Sequence, residues 1–499
     1  MSTVKTILSI MVIFMLASCS TGTPAATPTP IPTNTPQPPT ASMPTTTAMA
    51  TTASIPTNTL QPTDTPAPTS LNATGPYIVF AGPSGIWITN PDGSFLTQVS
   101  GSGTHGIWTT DPEGELRTAI SPTGDRMALV VENDKGLDLV VVKIPGGDTE
   151  TIAHLISITR ADLTNYPTSE KAFATYAIRD YADVAWQPGA GRLLAFTGAI
   201  NGPTSDLYLY DTQTGETKQL TSGLSQSISP TWSPDGQYIL NFGISFSGSS
   251  TGAIGPDRLD GVWAVRVSDG KLISLPKPNA ILPHLIGWQD NSHYIMSGIG
   301  DQGDSNILHS VDIVSGETRS IMDYSCYSYI AQSPENGALL FSSASGCVSS
   351  LGEGTFLLLP GQTAPTKLLD KRTWEIDWLP ESRVFFAYPE ALFSSDGNTR
   401  YDPPVYDNSF HPAVSKIGYQ AWQAYENQVS KVSLVVVKVP GKDWQTILTG
   451  KVNMLIWDPL EGRTLLIASQ GSLYAASYPD FTARLMGTMG SIDQAIWLP

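Results

Sequence analysis

The sequence predicts an all-β protein: one β-propeller of about eight four-stranded blades, within a range of seven to nine, set behind an N-terminal anchor and spacer. Three observations predict it. An apolar strand that ends in a proline turn recurs along the globular part at roughly 40–65-residue intervals, near the period of a propeller blade. A strand–glycine–strand unit follows most of these boxes. Finally, the chain ends on an isolated first strand, AIWLP, while the globular part opens on a second strand, YIVFAG, with no first strand before it.

Residues 1–18 carry a targeting pattern. Lys5 is the basic element, and residues 6–16, TILSIMVIFML, are apolar. That run falls short of the ~20 apolar residues that span a bilayer, so it reads as a removed signal peptide. Leu16-Ala17-Ser18-Cys19 follows: a branched residue, two small ones and a cysteine. It resembles the lipobox of bacterial lipoproteins. The resemblance implies that Cys19 receives a diacylglyceryl group and that the protein is held outside the cytoplasm on the cell membrane or envelope. Several acyl chains on one residue make a stable anchor, at about 0.8 kcal/mol per buried CH₂.

Residues 19–75 form the lipidated cysteine and a stalk. From residue 20 on, Thr, Pro, Ala and Ser dominate, and Asp64 is the one charged residue. Such a composition buries too little apolar surface to offset its ordering entropy, and the prolines favour extended polyproline II. Fully extended, about 55 residues would reach roughly 170 Å. The hydroxyls could carry O-glycans, and Asn72-Ala73-Thr74 is a single sequon.

The formal net charge is −17 and no Lys/Arg run occurs. That balance disfavours nucleic acid and anionic membrane faces as partners. The membrane is then met through the lipid alone. The expected state is a monomer with no cofactor.

Residues 76–499 are the propeller. The best repeat is SPTWSPDGQYILNF at 229–242. A short strand ends at Trp232, Pro234 presets φ, and Gly236 takes positive φ so that the chain reverses. This box resembles the repeat of TolB-like propellers, whose signature is W-S-P-D-G before an apolar strand. Degraded copies are AISP (119–122), VAWQP (184–188), IGWQD (286–290), IAQSP (330–334), IDWLP (376–380), SFHP (409–412), LIWDP (455–459) and AIWLP (495–499). The boxes provide strands a and b of each blade. Units such as SDLYLYDTQTGETKQLT (205–221) provide c and d. Helical periodicity is nearly absent. The C-terminal strand a and the N-terminal strand b complete one blade, closing the ring and removing sheet edges.

In a propeller the d–a and b–c links share one face, here called upper, and the a–b and c–d turns share the lower face. The insertions at 154–182, 243–260, 299–305 and 342–355 all map to the upper face, where long loops tend to carry function. Aromatic and charged residues gather there: Tyr166, Tyr176, Arg179 and Asp180; Asp257, Arg258 and Asp260; Tyr324, Tyr327 and Tyr329; Tyr401 and Asp402. Ordinary loop composition accounts for them about as well as a recognition surface does. Tyrosine offers apolar area with a polar handle, which suits recognition.

Other chemistry is weaker. Cys326 and Cys347 are the two cysteines besides Cys19. Both map to the upper face of the sixth blade, so in a non-reducing compartment a disulfide is expected. Gly248-Ser249-Ser250-Thr251-Gly252 fits G-x-S-x-G, but it lies in a glycine-rich stretch and lacks the strand–turn–helix context of a nucleophile elbow. Asp301 and Asp304, in the 299–305 insertion, belong to the same candidate face; with Asn306 they offer oxygen ligands to a hard cation but lack a full calcium-loop pattern, so a solvated loop is the favoured reading. His284, His309 and His411 read as core or turn residues, and no metal motif is present. The reading is a non-catalytic binding or scaffold propeller for a protein, peptide or carbohydrate. The alternative is a polysaccharide lyase or glycosidase built from residues that converge across blades.

Overall fold

The computed structural model describes most of residues 71–498. Residues 1–70 and several internal stretches lie outside the described residues, chiefly 106–113, 158–169, 249–253, 300–306, 324–329, 344–350, 379–383, 402–412, 426–431 and 439–443. Nine four-stranded antiparallel sheets stand among the described residues. The count is the upper end of the expected range and equals the number of strand-a boxes in the sequence. Blades 2 to 9 span 104–157, 185–219, 226–275, 282–323, 330–369, 375–401, 413–449 and 454–488. Blade 7 is the least developed, ending on the two-residue strand Arg400–Tyr401.

Blade 1 joins the two ends of the propeller. Tyr77–Gly82, Gly85–Thr89 and Thr97–Ser100 supply strands b, c and d, and Gln494–Leu498 supplies strand a. Tyr77 faces Leu498 and Ala81 faces Gln494 across the seam. A Cβ on Gly82 would stand 2.2 Å from the Ser491 carbonyl oxygen, so the closing link can approach only a glycine. Among the described residues, apolar faces of neighbouring blades pack on each other. Ile78 and Phe80 of blade 1 join Met454, Leu466 and Leu473 of blade 9, while Ile86 and Ile88 join Met127, Leu129 and Val142 of blade 2. The core is thus a chain of inter-blade layers, which is how a 400-residue fold avoids needing one large core.

The proline box works as its residues dictate. In blade 4, Gly236 has φ +69°. The Ser233 amide donates to Tyr238 O at 2.9 Å, and the Ser233 hydroxyl donates to Asp235 at 2.7 Å. In four blades the tryptophan that ends strand a hydrogen-bonds back to the preceding blade, whereas the buried Nε1 of Trp288 and Trp497 has no such partner. Trp232 Nε1 donates to Ala185 O at 2.7 Å, Trp186 to Ala119 O at 2.7 Å, Trp378 to Ala331 O at 3.2 Å and Trp457 to Ala413 O at 3.1 Å.

Four expectations need correction. AISP at 119–122 is not a strand. Gly114–Ala119 is a short helix, Ile120 makes a single bridge to Met127, and the strand a of blade 2 is Thr104–His105. The helix fills the inner position because Leu116 is fully buried and its amide donates to Gln494 Oε1 at 3.1 Å. In blade 8 the inner strand is Ala413–Val414, after SFHP, which itself lies outside the described residues. The insertion 154–182 contains a helix, Glu170–Asp180. The insertion 243–260 is largely strand: Tyr238–Gly248 and Ile254–Arg266 pair along their whole length with two bulges.

Candidate functional site

The helix Glu170–Asp180 and the long hairpin of blade 4 meet at the upper ends of blades 3 and 4. The helix is alanine-rich, which favours helix. Glu170 stands in its first turn and Arg179 in its last, matching the macrodipole. Ala174 and Ile178 pack into the layer between blades 2 and 3 with Leu155, Phe196 and Tyr208. Ala177 packs on Ile228, Phe242 and Ile244 of blade 4. Tyr181 O accepts from the Ser229 amide at 3.2 Å, at the bulge of the inner strand.

Tyr176 is part of this foundation. Its ring lies 5.7 Å from Phe246 and 6.1 Å from Tyr181, and Phe173 lies 6.4 Å from Phe246. A half-buried tyrosine stacked in this way holds the helix on the hairpin and cannot serve as a freely displayed loop residue. Arg179 is exposed on the helix. Asp180 is the last helical residue.

In the hairpin Arg258 pairs with Asp260, two residues on, and not with its neighbour Asp257. Arg258 Nε donates to Asp260 at 2.8 Å. Residues two apart on a strand share a face, whereas adjacent ones oppose. Asp260 also accepts from Ser225 Oγ at 2.9 Å and from Ser245 Oγ. Burial alone would raise its carboxyl pKa, but the bonds from Ser245, Arg258 and Ser225 outweigh it and hold the group below the usual range. Asp260 therefore ties the d–a link to the hairpin. Asp257 and Arg258 are exposed. Leu224, beside Ser225, is 95% exposed.

Behind this rim lies a polar network that the sequence reading missed. Asp206, at the start of strand c in blade 3, accepts from Gln219 Nε2 at 3.1 Å, Thr221 Oγ1 at 3.3 Å and Thr204 Oγ1 at 3.5 Å. Thr221 meets Ser227 Oγ at 3.2 Å, and Asn241 Nδ2 donates to the same Ser227 at 3.1 Å. All three donors to Asp206 are neutral, so burial dominates and pushes its carboxyl up to about 6. The network pins the d–a link of blade 3 beneath the rim. The signal was present in the sequence as Asp206 with Thr221, one residue at each end of the c–d unit.

Tyr401 lies on the last strand of blade 7. Tyr166, Asp301, Asp304, Tyr324, Tyr327, Cys326, Cys347 and Cys19 lie outside the described residues, as do Asn306, Tyr329, Asp402, His411 and most of the G-x-S-x-G segment. Among the described residues, no group of three or more His, Cys, Asp or Glu side chains could hold a metal ion.

No protein-family model matches the chain, and no curated protein sequence matches it. Among solved structures it is similar to dipeptidyl peptidase 4 of Porphyromonas gingivalis, at 12% identity over 74% of this chain and 59% of that one, with a TM-score of 0.44. It is also similar to an oligogalacturonate lyase from Vibrio parahaemolyticus (11% identity, 61% of this chain, 76% of that one, TM-score 0.34). TolB from Acinetobacter baumannii is a third (11% identity, 74% and 82%, TM-score 0.26). The chain spans little more than half the length of the peptidase. The sheets themselves define the class: a closed β-propeller.

Proposed function

We propose that the protein is an extracytoplasmic, lipid-anchored propeller that binds a protein, peptide or carbohydrate through its upper face without catalysing a reaction. The observation that carries this reading is the one-sided elaboration. The 11-residue helix and the extended hairpin both rise from the upper face. They form a braced rim that displays Arg179, Asp257, Arg258 and Leu224. The attachment of the chain supports it. Asn72 N donates to Asn90 Oδ1 at 2.9 Å, in the c–d turn of blade 1, so the spacer joins the propeller on the lower face. A tether at that face leaves the rim pointing away from the membrane. The W-S-P-D-G box links the chain in kind to TolB-like propellers, and the Cys326–Cys347 disulfide belongs to the same extracytoplasmic reading.

Two experiments test it. Cys19→Ser should move the protein from the membrane fraction to the soluble envelope or medium; retention of an unprocessed, membrane-bound form would contradict the anchor. Arg179→Glu combined with Asp257→Lys and Arg258→Glu should abolish partner capture by the full chain, with melting temperature unchanged. Capture that survives those changes but fails with Glu461→Lys on the lower face would reverse the assignment. Turnover of a glycan by the purified protein would replace binding with the lyase or glycosidase reading.

A further inference from the structure

The lower face carries an aromatic patch that the proposed binding face does not use. In blades 8 and 9, Tyr419, Trp457, Tyr478 and Phe481 stack on one another, with Tyr419–Phe481 at 5.1 Å, Tyr419–Tyr478 at 5.8 Å and Trp457–Phe481 at 6.0 Å. Trp457 and Phe481 are buried, whereas Tyr478 is 44% exposed. Ile417 and Leu460, in the adjoining a–b turns, are also exposed. The Arg463 guanidinium stands 5.8 Å from the centre of the Tyr478 ring. Its ion pair with Glu461, at 3.9 Å, is long and exposed, so it contributes little. Together these side chains make an apolar, tyrosine-topped shelf with a cation at its edge.

We propose that this shelf seats the chain's own Thr/Pro-rich segment, residues 60–70. Four features select this occupant. The segment reads Leu60-Gln61-Pro62-Thr63-Asp64-Thr65-Pro66-Ala67-Pro68-Thr69-Ser70. Its proline rings are of the kind that dock on aromatic shelves in polyproline II form, with little ordering entropy left to lose. It leads directly to Leu71 and Asn72, which join the propeller on the lower face of blade 1. That point adjoins blade 9. A Cβ on Gly93, in the same turn as Asn90, would stand 3.0 Å from Met486; Asp92, whose burial would raise its pKa, is held low by its bonds from Ser94 and, to a lesser degree, by the charge of Arg484. Arg484 is three residues from Phe481. Eight residues from Asn72 back to Asp64 reach about 25 Å in polyproline II. Lastly, Asp64 is the one charge between residues 20 and 75, and Arg463 supplies the opposite charge at the shelf. The seat does not depend on acylation of Cys19. It fixes the direction in which the spacer leaves the propeller.

The test uses zero-length carbodiimide coupling in the full-length chain carrying Arg463→Lys. An amide between Asp64 and the introduced amine, within one molecule, is the expected product. Lys367 and Asp370, 3.5 Å apart, provide the internal control for reagent and fold. Adding Leu460→Asp, at an exposed position, should abolish the Asp64 link and leave the control link intact. Formation of the control link without the Asp64 link overturns the proposal. So does an Asp64 link found only between two molecules, which would make the shelf a seat for a second copy.

Discussion

Asp206 is the residue whose environment is least expected. Its carboxyl is 4% exposed and meets only neutral donors. Burial pushes its folded-state pKa up to about 6, against about 3.9 for an unperturbed aspartate. The folded protein therefore binds this proton more tightly than the unfolded chain. The associated stabilisation is present below about pH 4 and is lost as the pH rises through 6; at about two pKa units it is on the order of 3 kcal/mol. Asp211, Asp269, Asp290 and Asp396 are held at about 2 and act in the opposite sense, losing their contribution as the pH falls below 4. Comparison with Asp206→Asn separates the two. The amide keeps an acceptor for Gln219 and cannot ionise. The variant should be at least as stable as the parent at pH 8, and its denaturation curve should be flatter between pH 4 and 6. A loss of stability at pH 8 alone would mean that the ionised carboxylate is required.

At the scale of elements, the helix Glu170–Asp180 braces the upper rim, and its two faces make opposite predictions. Ala177 is fully buried against blade 4. Ala177→Asp should cost about 3 kcal/mol by placing a charge in an apolar layer. Arg179→Glu, on the exposed side, should change stability by no more than about 0.5 kcal/mol. Equal unfolding midpoints in urea for the two variants would show that the helix is not packed as described. The helix was not legible because half of its apolar residues are alanines and it lies inside a long polar insertion, so periodicity was weak. The long hairpin was hidden for a related reason: the run Ser245–Gly248 reads as a loop, and only pairing with Ile254–Arg258 keeps it extended. The proline boxes were legible because their turn chemistry is local; Pro234 and Gly236 act through their own φ angles. Within the site, Arg258 and Asp260 could have been paired from strand alternation alone. The Tyr176 stack could not, because Phe246 is 70 residues away in sequence.

At the scale of the molecule, the last strand completes the first blade and closes the ring. Among the described residues eight apolar layers join neighbouring blades, and the one between blade 9 and blade 1 holds only if no gap separates them. Closure also places the spacer and the C-terminal strand end together on the lower face and leaves the rim free on the other. In the seam, Gln494 and Ala495 are fully buried, Trp497 is 8% exposed, and Gln494 caps Leu116 of the helix that lines blade 2. Removing the strand would uncover the edge of Tyr77–Gly82 and leave a tryptophan-sized hole, a loss of about 3–5 kcal/mol from the side chain alone. Hydrogen exchange at the amides of residues 77–81 reads this seam directly. The full chain should protect them as strongly as the central strands of blade 4, and deletion of residues 491–499 should abolish that protection and lower the melting temperature. Protection at 77–81 that is the same with and without residues 491–499 would contradict the closed ring.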